Sequence, residues 1–293
     1  MGAIGKKANT ALACWSIART SVRGPVWSSQ VEPRRRSISS SLAVYSCCTR
    51  RRLTVLGGAA GCVVAGRLAT ADTSLEIVVL ESGADNRDVQ LVTTQAYFLA
   101  HQAPGTTSFT YYKSSPSPHL NNRSPTVHAA NILGGGSSVN FMLYNRPSLY
   151  DFDDWNTPGW TAREIRPLFK KIETYHISPG DDTHGYEGPL HVSYGGHTSK
   201  LTNEFLAAAM DYRGWEPSID VNDFETGDSS TVWPKWIHPE TGKRSDAAHG
   251  YLHPVMDKQT NLRVMTESKV IRVLFDATVA VGVEYLTKYT SIS

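Results

Sequence analysis

The chain has 293 residues, of which 40% are apolar and 19% are charged, with a formal net charge of +2. This balance excludes wholesale disorder, a collagen-like chain and a polytopic membrane protein. No apolar run approaches the roughly 18 residues that cross a bilayer, and the four cysteines form neither a disulfide framework nor a CxxC zinc pair.

Residues 1–52 differ in composition from the rest of the chain. They hold ten of the 29 Lys and Arg residues but one of the 27 acids, and they are rich in serine. Four interpretations remain open: a mitochondrial transit peptide, a secretory signal, a disordered basic leader, and a wrongly predicted first exon. We assign no structure here. The remainder is acidic, so we expect no nucleic-acid partner.

The first predicted elements form a strand, a glycine turn, a helix and a second strand. Leu53 to Leu56 is a short apolar run that predicts a buried strand, and Gly57, Gly58 and Gly61 follow it. Residues 62–69 have helical spacing, and the apolar run 75–80 ends at Glu81. This order is typical of a Rossmann βαβ unit that binds a dinucleotide.

Each part of this unit has a physical role. Turn glycines let the backbone approach a pyrophosphate, and the helix N-terminus stabilises its charge. Glu81 lies twenty residues after Gly61, where a carboxylate can accept hydrogen bonds from ribose hydroxyls. In the GxGxxG pattern Leu56 stands where the first glycine is expected. Either Gly57 takes that role through a shifted turn, or one residue is missing from the sequence.

A second glycine cluster lies at residues 134–136, followed by Ser137, Ser138 and an apolar stretch. This pattern predicts a loop that enters a helix, with Ser137 or Ser138 as the N-cap. Such a loop presents several N–H groups to an anion or to the edge of an electron-rich ring.

Further elements follow toward the C-terminus. A helix is predicted over 163–176, with a capping box at Thr161 and Glu164, and another over 200–213. The apolar face of the first contains Ile165, Leu168, Phe169 and Ile172. A strand pair is predicted at 269–275 and 279–286. His249 and His253 are spaced as metal ligands on a helix, but a structural role is favoured because no third ligand is evident.

The block from Ala130 to Asp153 resembles the first signature of the glucose–methanol–choline (GMC) family of flavin oxidoreductases. Similar motifs follow at 184–189, 242–248 and 261–270. The resemblance covers about 53–286 and is strongest to the fungal alcohol oxidase branch.

The resemblance implies FAD as the cofactor and assigns residues to it. The first glycine turn (Gly57, Gly58 and Gly61) would hold the pyrophosphate, and Glu81 would bind the adenosine ribose. Gly135, Ser138 and Asn140, with Met142 and Leu143 nearby, would wrap the flavin. Val270 would contact adenine through its backbone. The implied fold is α/β: a Rossmann-like FAD-binding domain with part of an α+β substrate-binding domain.

The implied reaction is oxidation of the CH–OH group of a small primary alcohol, with hydride transfer to flavin N5 and reoxidation by oxygen or another acceptor. The family's catalytic histidine lies in its C-terminal half. None of the ten histidines here stands in that context, so we assign no catalytic residue and expect the chain alone to be inactive. The interpretation is an N-terminal, incomplete piece of an oxidoreductase.

Two alternatives remain. One is a non-catalytic remnant or pseudoenzyme that at most binds FAD. The other is an NAD-linked Rossmann dehydrogenase, which the loop at 134–140 argues against.

The predicted organisation has a flavin-binding part (53–155 and 240–293) and a partial substrate-binding part (156–239). We expect no membrane association and a possible homo-oligomer at full length. The location is either peroxisomal, from the resemblance, or mitochondrial, from the leader composition.

Overall fold

The computed structural model describes residues 43–44, 52–177, 182–213, 218, 220–226 and 229–287. The strands are β1 (Ala43–Val44), β2 (Arg52–Leu56), β3 (Glu76–Leu80), β4 (Phe109–Lys113), β5 (Thr126–Ala130), β6 (Glu173–Tyr175), β7 (Leu190–Val192), β8 (Leu262–Met265), β9 (Ser268–Asp276) and β10 (Val279–Thr287). The α-helices are α1 (Ala59–Ala71), α2 (Gln90–Thr93), α3 (Leu149–Asp154), α4 (Ala162–Ile172), α5 (Lys200–Arg213) and α6 (His253–Met256), the last directly after a π-helix at Ala248–Leu252.

A parallel sheet in the order β2–β3–β8 carries the first glycine turn at its carboxyl end. Helix α1 connects β2 to β3 and packs its small residues against this sheet and against the π-helix. Gly66 allows that approach, because a Cβ there would overlap the carbonyl oxygen of Tyr251. The βαβ prediction and the α/β fold class are therefore confirmed.

The described structure contains three further sheets. Strands β1, β10 and β9 form an antiparallel sheet, β4 pairs antiparallel with β5, and β6 pairs parallel with β7. The predicted hairpin at 269–286 is confirmed, with Ala277 at φ +50° in its turn. In the part of the chain that the structure describes, no helix has the length and apolar character needed to cross a membrane.

Several predictions about local structure are wrong. Ala43 and Val44 form β1, although we assign no structure to 1–52. The rest of that segment, except Arg52, lies outside the described residues. Strand β2 is half-buried rather than buried, because it is the outer strand of its sheet, and Leu56 is 61% exposed.

Helix α4 also departs from its prediction. It begins after Thr161 with the predicted capping box, but it ends at Ile172, and residues 173–175 pair with β7 instead. Ile165 is buried as predicted, whereas Leu168 is exposed. The helix 200–213 is confirmed as α5.

Candidate functional site: two glycine loops meet at the end of the parallel sheet

The two glycine clusters of the sequence are in direct contact. The N–H of Gly134 donates a hydrogen bond to the carbonyl oxygen of Gly57 at 2.8 Å. A Cβ at Gly135 would lie 2.9 Å from the Cα of Gly58, and Gly135 has φ +54°. Both the close approach and the left-handed backbone require glycine at 135. The fold therefore joins two loops that are nearly 80 residues apart in sequence.

The junction leaves open space beside two glycines. A Cβ at Gly58 or at Gly136 would meet no atom within 4 Å. Gly58 precedes the first turn of α1, which contains no acidic residue and receives no side-chain cap. The N–H groups of that turn and the positive end of the helix dipole therefore favour an anion here.

Gly61 has a different role from Gly58. A Cβ at Gly61 would overlap the carbonyl oxygen of Leu56, so this glycine allows α1 to pack closely on β2. None of Gly57, Gly58 and Gly61 has a left-handed backbone. The turn is therefore made without glycine at position 56, and Leu56 ends its strand in a regular parallel register with Leu80.

Glu81 follows β3 and lies against the first glycine turn. A Cβ at Gly57 would be 2.7 Å from the Cβ and 2.8 Å from Oε2 of Glu81. Its Oε1 accepts a hydrogen bond from the N–H of Gly83 at 2.8 Å. Glu81 is 8% exposed, and this burial raises the pKa of its carboxyl group, although the Gly83 N–H opposes the shift. The carboxylate is thus fixed beside the anion-favouring turn.

The signature loop differs from its prediction. Gly135–Ser138 forms one 3₁₀ turn, and no helix follows until Leu149, which Ser148 caps. The Oδ1 of Asn140 accepts from the N–H of Met142 at 3.0 Å, and Met142 has φ +60°.

The chain from Asn140 to Ser148 is not helical. Its hydrogen bonds go to residues 234–236: Tyr144 N donates to Pro234 O, and Trp236 N donates to Met142 O. The predicted N-caps are wrong, because Ser137 Oγ donates to Gly134 O and Ser138 Oγ donates to Leu133 O. Each serine hydroxyl therefore bonds to a carbonyl oxygen of the preceding residues of the same loop and caps no helix.

Ser138 is fully buried and belongs to a polar network that the sequence analysis missed. Its Oγ accepts from Asn86 Nδ2 at 2.9 Å, and that amide also donates to Asp246 Oδ1 at 3.1 Å. Arg87 Nε donates to His253 Nδ1 at 3.2 Å, so the proton of a neutral His253 is on Nε2, which donates to Asn86 Oδ1 at 2.8 Å. The network joins Ser138 to a helix more than 100 residues later.

This network explains the two helical histidines. The Nδ1 of His249 lies 2.6 Å from Asp246 Oδ2, and burial lowers the pKa of His253. No group of three His, Cys, Asp or Glu side chains is placed to hold a metal ion in the described residues. A structural role for His249 and His253 accounts for their contacts.

A cavity of about 470 Å³ borders the signature loop. Its lining is mostly apolar or aromatic and consists of Gln102, Phe109, His128, Ala130, Gly136, Val139, Asn140, Phe141 and Leu143. Gly136, Asn140 and Leu143 are thus brought to one surface, whereas Met142 is buried beneath it. Val270 is on β9 and packs with Leu80 and Met265, near the strand end that carries Glu81.

A second cavity, of about 460 Å³, lies between residues 145–148, α5 and residues 221–233. It shares no residue with the two glycine loops. Its buried cation, Arg146, is paired with Glu173. The junction of the two glycine loops, where open backbone meets a fixed carboxylate, is therefore the candidate site.

Comparison with known proteins identifies the family. The profile described as GMC oxidoreductase matches residues 50–293. The chain belongs to the GMC oxidoreductase family. It is 41% identical to alcohol oxidase from Candida boidinii, over 78% of this chain and 34% of that protein. It is 35% identical to oxygen-dependent choline dehydrogenase from Stenotrophomonas maltophilia (strain R551-3), over 78% and 41% of the two chains. The chain thus spans about a third of the length of the alcohol oxidases that it matches.

Solved structures of oxidoreductases have the same fold as this chain. An FAD-dependent oxidoreductase from Chaetomium thermophilum matches at 26% identity with a TM-score of 0.71, covering 84% of this chain and 43% of that one. Pyridoxine 4-oxidase from Mesorbium loti, at 24% identity, has the same fold with a TM-score of 0.71 over 82% and 46% of the two chains. FAD is the cofactor of this GMC flavoprotein, and the open cradle at Gly58 and Gly136 fits it. Family membership thus favours FAD over the NAD-linked alternative.

Proposed function

We propose that this chain forms the FAD-binding part of an oxidoreductase that acts on the CH–OH group of a small primary alcohol. The observation that carries the proposal is the junction of the two glycine loops, at which Gly134 N donates to Gly57 O beside the cavity. The alcohol oxidases among its relatives support the substrate class. FAD, when bound, supplies the hydride acceptor for the oxidation.

In this proposal the residues of the chain bind and orient the cofactor. Gly58 and the start of α1 receive the pyrophosphate, because the backbone there is open and its dipole favours an anion. Glu81 accepts hydrogen bonds from ribose hydroxyls. Gly135 and Asn140 shape the flavin loop, and the backbone at Val270 contacts adenine.

The cavity beside Gly136 and Asn140 is proposed as the place where the flavin ring and the alcohol meet. Its largely apolar lining suits a short aliphatic or aromatic alcohol. Oxygen or another acceptor would then take the electrons.

We assign no proton acceptor to residues 1–293. His128 is the histidine that lines the cavity, but it is exposed and its ring packs on Tyr111 at 4.7 Å between centroids. We therefore propose that these residues bind FAD but do not oxidise alcohol alone. The alternative of a non-catalytic protein makes the same prediction for this chain. Activity in a longer product of the same gene would separate the two.

The test is anaerobic reduction of the FAD-loaded protein by methanol, ethanol, benzyl alcohol and choline, followed by flavin absorbance. We expect the chain to bind FAD, and dithionite but no alcohol to bleach it. A longer product should be bleached by a primary alcohol. Bleaching of the chain itself would show that it contains its own base, and His128→Gln would then be the first variant to examine. Failure to bind FAD would contradict the proposed site.

A further inference from the structure

Arg244 is a buried cation that ties the flavin loop to the rest of the fold. It is 4% exposed. Its backbone N donates to Thr93 O at 3.0 Å, and its Nε donates to Val92 O at 2.8 Å, which anchors it at the end of α2. From that anchor the Nη1 reaches the 3₁₀ turn and donates to Ser137 O at 3.2 Å.

The same Nη1 holds Asn140 by two further contacts. It lies 2.9 Å from the carbonyl oxygen and 2.8 Å from Oδ1 of Asn140. That Oδ1 also accepts from the N–H of Met142, so the amide group of Asn140 is fixed from two sides. Ala247 N donates to Ser137 Oγ at 3.1 Å and reinforces the clamp from the same segment.

The acceptors of Arg244 are neutral. No carboxylate of the described residues lies within ion-pair distance of it, and its Nη2 is buried without a hydrogen-bond partner. Burial lowers the pKa of Arg244 to about 10, so the guanidinium is still charged at neutral pH. The charge of Asp246 opposes that shift from a distance, but a buried charge without a direct ion pair is still costly for folding. Such local costs are expected mainly at functional or strained sites.

We propose that Arg244 is a positioning residue for FAD, which fixes Asn140 and the loop 137–140 in the cofactor-receiving shape before FAD binds. The inference rests on the proposed cofactor site. The planar guanidinium is needed because one group must reach α2, the 3₁₀ turn and Asn140 together. A lysine keeps the charge but has a single nitrogen, which cannot make these contacts at once.

Arg146 provides a matched control. It is also buried, at 6% exposed, but it pairs with Glu173 and donates to Thr183 O, and it contacts neither glycine loop. Arg244→Lys and Arg146→Lys therefore make the same chemical change at two buried sites. Both variants should lower the thermal midpoint, whereas only the change at 244 should alter the flavin loop.

The experiment combines hydrogen–deuterium exchange of the cofactor-free protein with FAD titration. In the wild type, the amides of Asn140 and Met142 are bonded to Gly136 O and to Asn140 Oδ1. We expect Arg244→Lys to speed exchange at 139–142 and to weaken FAD binding at least about tenfold, since several hydrogen bonds from a charged group are lost. Arg146→Lys should do neither.

Unchanged loop exchange in Arg244→Lys, or faster exchange with unchanged FAD affinity, would overturn the proposal. Equal losses of affinity in both variants would reduce Arg244 to a residue that only stabilises the fold. A wild-type protein that does not bind FAD would contradict the cofactor site itself, which distinguishes that failure from a failure of the role of Arg244.

Discussion

Gly135 lies so close to Gly58 that a Cβ at 135 would be 2.9 Å from the Cα of Gly58. This contact joins the signature loop to the turn between β2 and α1. It brings together the residues proposed to hold the pyrophosphate and the flavin of FAD, so the proposed cofactor site depends on tertiary structure rather than on either loop alone.

Gly135→Ala should separate the two loops. A residue with a side chain loses about 1–2 kcal/mol of stability in the left-handed conformation of Gly135. The overlap of its Cβ with Gly58 adds to that loss. Gly196→Ala is the matched control, because Gly196 has φ +76° but open space around it. We expect Gly135→Ala to lower the free energy of unfolding more than Gly196→Ala, and to abolish FAD binding. Equal destabilisation with FAD binding retained would show that the contact is dispensable.

Glu81→Gln should raise the stability of the cofactor-free protein and lower its affinity for FAD. Burial raises the pKa of Glu81, so the folded state binds its proton more tightly than the unfolded state. That contribution to stability is present below the unfolded pKa and is lost as pH rises through the folded pKa. At neutral pH a neutral amide removes the cost of burying the charge. We expect a cofactor-free thermal midpoint about 1–4 °C higher than that of the wild type.

FAD binding by Glu81→Gln should weaken, because a carboxylate accepts ribose hydrogen bonds more strongly than an amide. Thermal scans and FAD titrations at the same pH test both parts. A variant that is less stable than the wild type, or that binds FAD equally well, would contradict this role of Glu81.

His253 should make stability fall as pH drops. Burial lowers the pKa of His253, and Asp85, Asp246, His249 and Arg87 also act on it. The stabilisation is therefore present above the ordinary histidine pKa of 6.5 and is lost as pH falls through the folded value. Protonation would also place a proton where Arg87 donates. The thermal midpoint from pH 8 to pH 5 should fall less in His253→Gln than in the wild type.

The contribution of His184 to stability should change with pH in the opposite direction to that of His253. Burial alone would lower its pKa, but hydrogen bonds to Asp220 and Glu173 raise it overall. Its stabilisation is present below the ordinary value of 6.5 and is lost as pH rises through the folded pKa. In His184→Gln the midpoint should therefore fall more steeply toward low pH than in the wild type. The same slope in both histidine variants would refute these assignments.

Local patterns predicted the parts of the fold that local physics determines. The apolar runs on either side of Gly58, the Thr161 capping box and the hairpin around Ala277 are all confirmed. Glu81 lies against the glycine turn, because a carboxylate at that distance from such a turn has one usual position, and its contact with ribose stays a prediction.

Long-range contacts decided the parts that the sequence analysis missed. The apolar stretch after the glycine loop predicts a helix, but Met142 has a left-handed backbone, and residues 234–236 supply the hydrogen bonds of this stretch. The links from Ser138 through Asn86 to Asp246 and from Asn140 to Arg244 join residues that are remote in the sequence. No local spacing of residues in the sequence predicts such contacts. All the residue assignments to the cofactor stay predictions, as do the boundaries of the two parts and the location: Gly57, Gly58, Gly61, Glu81, Gly135, Ser138, Asn140, Met142, Leu143 and Val270.

The central claim is that FAD binds where the two glycine loops meet, and the pair Gly58→Ala and Gly61→Ala tests it most directly. A Cβ at Gly58 would enter open space, whereas one at Gly61 would overlap Leu56 O. FAD titration with thermal scans of both variants is the measurement. We predict that Gly58→Ala keeps the wild-type thermal midpoint but loses FAD affinity, while Gly61→Ala loses stability with or without FAD. Wild-type FAD affinity in a folded Gly58→Ala protein would contradict the account.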